Sequence, residues 1–121
     1  MPWIGGPVAF HLFMDPGSTS QEDMIRSTEF GLYINSFWYT RTVHPRDCVI
    51  TGMTRDGVWL IEDGKLSYPV KDLRFTQSYV EALANVTAVG RSRRLHISEM
   101  GTAVCVPALK ISEFNFTGVT A

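Results

Sequence analysis

Two aspartate-glycine pairs, Asp56-Gly57 and Asp63-Gly64, punctuate a stretch otherwise rich in β-branched and aromatic side chains. Aspartate tolerates a positive φ and glycine adopts one at little cost, so such pairs suit tight turns between antiparallel strands. They divide the middle of the chain into Cys48 to Thr54, Val58 to Glu62 and Lys65 to Val70. The pattern predicts a three-stranded antiparallel meander, which Leu73 to Phe75 extends.

Upstream, Asp15-Pro16-Gly17-Ser18 is turn chemistry, and Thr19 with Glu22 has the spacing of a capping box. A short helix is expected from Ser20 to Glu29, burying Met24, Ile25 and Thr28 and ended by Gly31. From Leu32 to Thr40 the residues alternate, with Leu32, Ile34 and Trp38 on one face and Tyr33, Phe37 and Tyr39 on the other. Both faces are apolar, so this strand needs cover on two sides, from its own domain or from a neighbour. His44-Pro45-Arg46-Asp47 reads as a loop, because proline restricts its predecessor and lacks an amide hydrogen.

Downstream, Ser78 and Glu81 repeat the capping-box spacing, and Tyr79, Val80, Leu83, Val86 and Val89 recur at helical intervals as far as Gly90. Arg91, Arg93 and Arg94 would then sit at the carboxyl end of this second helix and offset its exposed carbonyls. Thr102 to Thr117 alternates again, with Val104, Val106, Ala108, Leu109, Ile111, Phe114 and Phe116 as core candidates, broken by Pro107. The first twelve residues, Met1 to Leu12, carry Pro2, Gly5, Gly6 and Pro7 without a period, and read as a lead-in or a truncated end. The expected architecture is a single domain over residues 1–121 of the α+β class. Its sheet is predominantly antiparallel, with barrel-like closure left open by the patterns, and it carries two short helices.

Composition narrows the function classes. With 45% hydrophobic and 19% charged residues among 121, the chain should fold rather than stay disordered, and it has room for one core. Eleven basic against twelve acidic side chains leave a net charge of −1, which offers no global attraction for nucleic acid. No apolar run approaches the ~20 residues that span a bilayer, and no signal-peptide pattern opens the chain, so it reads as cytoplasmic with no membrane partner. Cys48 and Cys105 form no CxxC and are expected to be buried free thiols.

Little catalytic chemistry is visible in the residues themselves. His11, His44 and His96 are far apart and fit no zinc motif; Met53-Thr54-Arg55-Asp56-Gly57 is a hairpin rather than a phosphate loop, and no nucleophile elbow occurs. His44 and Asp47 flank a proline turn beside Cys48, an arrangement that could be drawn as a nucleophilic dyad. The plainer expectation is that Asp47 accepts local amides and His44 is a surface residue. Arg91, Arg93 and Arg94 could grip phosphates, but a solvated cap is the commoner use of such a cluster.

The order of these pieces resembles a known family. Asp15-Pro16-Gly17, then Ser27-Thr28-Glu29-Phe30-Gly31-Leu32-Tyr33, then Gly57-Val58-Trp59-Leu60-Ile61-Glu62-Asp63-Gly64-Lys65 and Tyr68-Pro69-Val70-Lys71 resemble the C-terminal region of the TldD/PmbA proteins. The likeness continues through Glu81-Ala82-Leu83, Ala88-Val89-Gly90, Pro107-Ala108-Leu109-Lys110 and Phe116-Thr117-Gly118-Val119-Thr120. Proteins of that family are several times longer, have been called modulators of DNA gyrase, and resemble zinc metallopeptidases that trim or degrade peptides, often as paired subunits. The resemblance implies that the metal-binding His-Glu-x-x-x-His helix belongs upstream of this region. It also implies that Cys105 can complete a zinc shell, and it makes Cys105 the one site residue to test. The partners implied are a peptide or unfolded protein substrate and a family subunit, in a homo- or hetero-oligomer, with no nucleic acid. A chain of this kind would lack peptidase activity alone. The alternative is a stand-alone protein-interaction or subunit-assembly module, and a small nucleic-acid-binding β-domain ranks last.

Overall fold

A computed structural model describes residues 11–97 and 101–119. In chain order the elements are β1 (His11–Phe13), α1 (Gln21–Arg26), β2 (Phe30–His44), β3 (Val49–Glu62), β4 (Lys65–Val70), β5 (Leu73–Ser78), α2 (Tyr79–Ala84), β6 (Val86–Ile97), β7 (Ala103–Ile111) and β8 (Phe116–Val119). One sheet runs β1-β7-β6; the other runs β2-β3-β5-β8, with β4 also paired to β3. Pairing is antiparallel except between β1 and β7, so the fold is α+β with a mostly antiparallel sheet content and two short helices. No closed barrel is found among the described residues. None of the described helices is long and apolar enough to cross a membrane.

β3 organises the larger sheet. One of its edges pairs with β2 along most of its length; the other is shared, with β5 against Val49 to Met53 and β4 against Val58 to Glu62. The turn expected at Asp56-Gly57 is therefore not a turn. β3 continues through it, and both residues hold positive φ, 66° and 102°, inside a bulge opposite Asn35. The Asn35 side chain donates to the Asp56 carbonyl at 2.8 Å, and Ser36 Oγ donates to the Asp56 carboxylate at 3.0 Å. The backbone conformations that favour a hairpin turn serve equally well for an extra residue in a strand, and β2 is long enough to stitch across it. Asp63-Gly64 does make the expected turn into β4, at φ values of 50° and 77°. It also docks on the end of the first helical segment, Asp63 N donating to Glu29 O and Gly64 N to Thr28 O.

Both helices are shorter than their spacings suggest. Ser20, not Thr19, caps α1, accepting from Asp23 N at 3.1 Å. Thr19 is occupied elsewhere: its amide donates to Val89 O and its carbonyl accepts from Arg91 N, bridging to β6. At the other end Ser27 Oγ and Thr28 Oγ1 both donate to Met24 O, competing with the helical ladder, and Gly31 lies within β2 rather than at a helix end. The second cap is at Ser78 as expected, but α2 ends at Asn85 and Val86 to Gly90 are strand. β-Branched Val86 and Val89 pair with Ile111 and Leu109 of β7, and that pairing outweighs a helical interval. Arg91, Arg93 and Arg94 therefore stand on an exposed strand, not at a helix terminus.

The fully buried side chains are Phe75, Val58 and Thr54, with Met24, Ile61 and Ala82 also buried. Phe37, Phe75, Phe114 and Phe116 form a chain of ring contacts, with Phe37 and Phe75 centroids 4.7 Å apart. Thr54 Oγ1 is satisfied by Asp72 and by the Leu73 amide. β7 passes through Pro107, which is buried and lies past the end of its pairing with β1. Residues 1–10 of the expected lead-in lie outside the described residues. His11 and Leu12, its end, are strand, a three-residue pairing too short to leave an alternating signature.

Candidate functional site

Cys105 sits in the middle strand of the smaller sheet, with Phe13 of β1 and Leu95 of β6 as its cross-strand partners. It is half-buried and unoxidised, and so is Cys48. Paired residues share a face, so Cys105 lies on the face that also carries His11 and Ala103, while His96, opposite Val104, projects from the other. Among the described residues no group of three or more His, Cys, Asp and Glu side chains gathers as a metal site would require. The described residues alone therefore do not fit a zinc centre.

The His44, Asp47 and Cys48 neighbourhood forms the β2–β3 turn. His44 and Asp47 are exposed, and Cys48 takes a positive φ of 55°. The thiol's neighbour is Tyr79 at the start of α2. Hydrogen bonding with Cys48, then the negative charge of its thiolate form, and last burial raise the Tyr79 hydroxyl above its ordinary value of 10.0. Beside this pair lies an open cleft of about 680 Å³ lined by Arg46, Cys48, Gln77, Glu81 and Asn115 among others. Its polar floor is internally satisfied, since Gln77 bonds to Asn115 N and Ser78 O, and Asn115 Nδ2 to Thr76 O.

A long accessible strand edge is the outer edge of β2. This strand ends its sheet, so its second edge is unpaired among the described residues. At its centre Phe37 touches Phe75 and Phe114 yet is 45% exposed, and Trp38 and Tyr39 are 44% and 60% exposed. Tyr39 holds a positive φ of 55° within a second bulge, where Trp38 pairs with Met53 and Arg41 with Thr51. A bulky residue in the left-handed region is a strained placement, of the kind that recurs where function fixes a side chain. Arg55 lies 5.1 Å from the Trp38 ring and Arg41 5.1 Å from the Tyr39 ring, each over the aromatic face. Neither arginine stands out in the sequence; the only available cue is Arg55 beside the Asp56-Gly57 bulge.

Two open sheets, short helices and displayed strand edges define a β-rich α+β domain. The chain belongs to the PmbA/TldA metallopeptidase C-terminal domain family, whose model matches residues 5–118. Its fold is similar to that of TldE from Thermococcus kodakarensis, at a TM-score of 0.71 and 17% identity over 88% of this chain and 23% of that one. It is similar too to a candidate modulator of a DNA gyrase from Thermotoga maritima, at a TM-score of 0.68 and 14% identity over 88% of this chain and 24% of that one. The chain thus spans about a quarter of the length of these two proteins.

Proposed function

We propose that this chain is the C-terminal domain of a zinc metallopeptidase that processes peptides or unfolded protein, and that it is inactive by itself. Its work is to present strand edges: a peptide or a family subunit lies along β2, taking main-chain hydrogen bonds from the free edge and apolar contact from Trp38 and Tyr39. The observation that carries this proposal is that 15-residue edge, with large apolar side chains left uncovered at its centre. The assembly is a homo- or hetero-oligomer of family subunits, its setting is the cytoplasm, and nucleic acid has no part in it.

Zinc belongs, in this proposal, to the rest of the peptidase. Cys105 is put forward as a single donor to an ion whose other ligands come from outside this chain, so no catalytic step is drawn through a metal here.

One experiment on the purified chain tests these points. Sedimentation at micromolar concentration should reveal self-association, and a denatured protein substrate supplied with zinc should remain uncut. A clean monomer together with unaided cleavage would overturn the proposal. For the thiol, the weak zinc affinity of the chain should fall in Cys105→Ala and be unchanged in Cys48→Ala; equal affinities would return Cys105 to a purely structural role.

A further inference from the structure

We propose that the outer edge of β6, from Arg91 to Ile97, is a docking site for an extended acidic peptide segment, which adds to the smaller sheet as a fourth strand. β6 ends that sheet. Among the described residues its outer side is taken up only near Gly90, where Thr19 bridges to it and receives the Arg91 amide. Beyond that point no strand pairs with it among the described residues, and Arg91 to Ile97 are all exposed.

Among the described residues no acidic side chain of the sheet stands by this stretch, and the Arg93 guanidinium donates to the Met14 carbonyl at 3.5 Å. Arg93, Arg94, Leu95, His96 and Ile97 stand opposite Pro107, Val106, Cys105, Val104 and Ala103, none of them acidic. The ion pairs of the described residues are elsewhere, Arg26 with Asp23 and Arg55 with Asp56. Side chains alternate along a strand, so Arg93 shares one face with Leu95 and Ile97, and Arg94 shares the other with His96. An added strand would meet positive charge on both of its faces at successive residues. Two adjacent carboxylates answer that demand, and an apolar residue beyond them would rest on Leu95.

Charge on an edge strand can also serve to discourage pairing. Here, however, Leu95 and Ile97 are 57% and 65% exposed in the same stretch, which invites a neighbouring strand instead. A second copy of this chain is a poor occupant, because β1, β2, β4 and β8, the other strands at the margins of the two sheets, contain no aspartate or glutamate. A nucleic-acid backbone is a poor one too, since the arginines are divided between two faces rather than aligned along one.

The test is a titration of the full chain into a fluorescein-labelled peptide of Glu-Glu-Val repeats. Saturable binding is expected. Arg93→Gln and Arg94→Gln should each weaken it by about two- to fivefold, the range of one cross-strand ion pair. A Gln-Gln-Val peptide should lose the product of those factors. The Glu-Glu-Val peptide with alternate amides methylated, its charge unchanged, should not bind. That comparison uses the unaltered protein, so it decides the matter even if a variant misfolds. Equal binding of the methylated or the glutamine peptide would overturn the proposal. So would an oligonucleotide of equal charge that binds as tightly, which marks a general polyanion surface, or dispersal of a self-associated chain by Arg93→Gln, which marks a second copy as the occupant.

Discussion

Gln77 fastens Asn115 by its backbone: Gln77 Oε1 accepts the Asn115 amide at 2.8 Å, while Nε2 donates to the Ser78 carbonyl at 2.9 Å. Gln77 is only 8% exposed, although the bonds face the open cleft and Asn115 itself is exposed. They tie the segment before β8 to β5. Gln77→Leu removes both bonds at once and should lower the stability of the chain by about 0.5–1.5 kcal/mol for each. Urea titration checks this: the midpoint should fall with the slope unchanged.

Gly57 and Gly64 separate two costs of a side chain. At Gly57, φ is +102° but the nearest atom to an added Cβ is 3.6 Å away, so Gly57→Ala should cost only the backbone strain, about 1–3 kcal/mol. At Gly64, φ is +77° and an added Cβ would also lie 2.5 Å from the Arg26 carbonyl oxygen. Gly64→Ala should therefore be the more damaging, unseating the β3–β4 turn from the end of α1. Equal midpoints for the two variants in urea would contradict this ranking.

The Tyr79 hydroxyl should report Cys48. Its proton is held more tightly in the folded chain than in the unfolded one, where the ordinary value of 10.0 applies. The associated stability is fully present below that value and is lost as pH rises through the raised folded value. Cys48→Ala should bring the late phase of the phenolate absorbance titration back toward the ordinary tyrosine range. It should also flatten the alkaline loss of stability. An unchanged titration would show that the thiol does not govern this phenol.

Tyr39 and Trp38 should separate stability from association. Tyr39→Gly relieves the positive φ of 55° and should stabilise the chain by up to about 1–2 kcal/mol, while weakening self-association through loss of the exposed ring. Trp38→Ser should weaken association without the gain in stability. Sedimentation velocity and urea titration, run on both variants, measure the two effects independently.

Where sequence and structure agree, the signals are local and chemically narrow: the Ser78 cap, the Asp63-Gly64 turn, the apolar run of β2. Where they part, a local pattern served two conformations and distant pairing chose between them. Asp56-Gly57 suits a turn or a bulge, and the length of β2 decided for the bulge. Val86 and Val89 fit a helix face, yet Ile111 and Leu109 hold them as strand. Of the candidate site, Cys105 could be singled out only through family resemblance, because its neighbours Phe13 and Leu95 carry no ligand chemistry. A strand apolar on both faces asks for cover on two sides, and this chain leaves Trp38 and Tyr39 uncovered; the arginines over their rings have no sequence signature, since a fold alone brings Arg55 and Trp38 together.

The parallel pairing of His11 to Phe13 with Ala103 to Cys105 sets an order of events for a chain leaving the ribosome. The hairpins of the larger sheet can assemble while synthesis continues, but β1 has no partner until β7 has emerged. Closing so wide a loop carries a large entropic cost and slows the last step. β1 is thus among the final pieces to dock, after β6 and β7 have paired, and until it does the strand bearing Cys105 keeps one edge open.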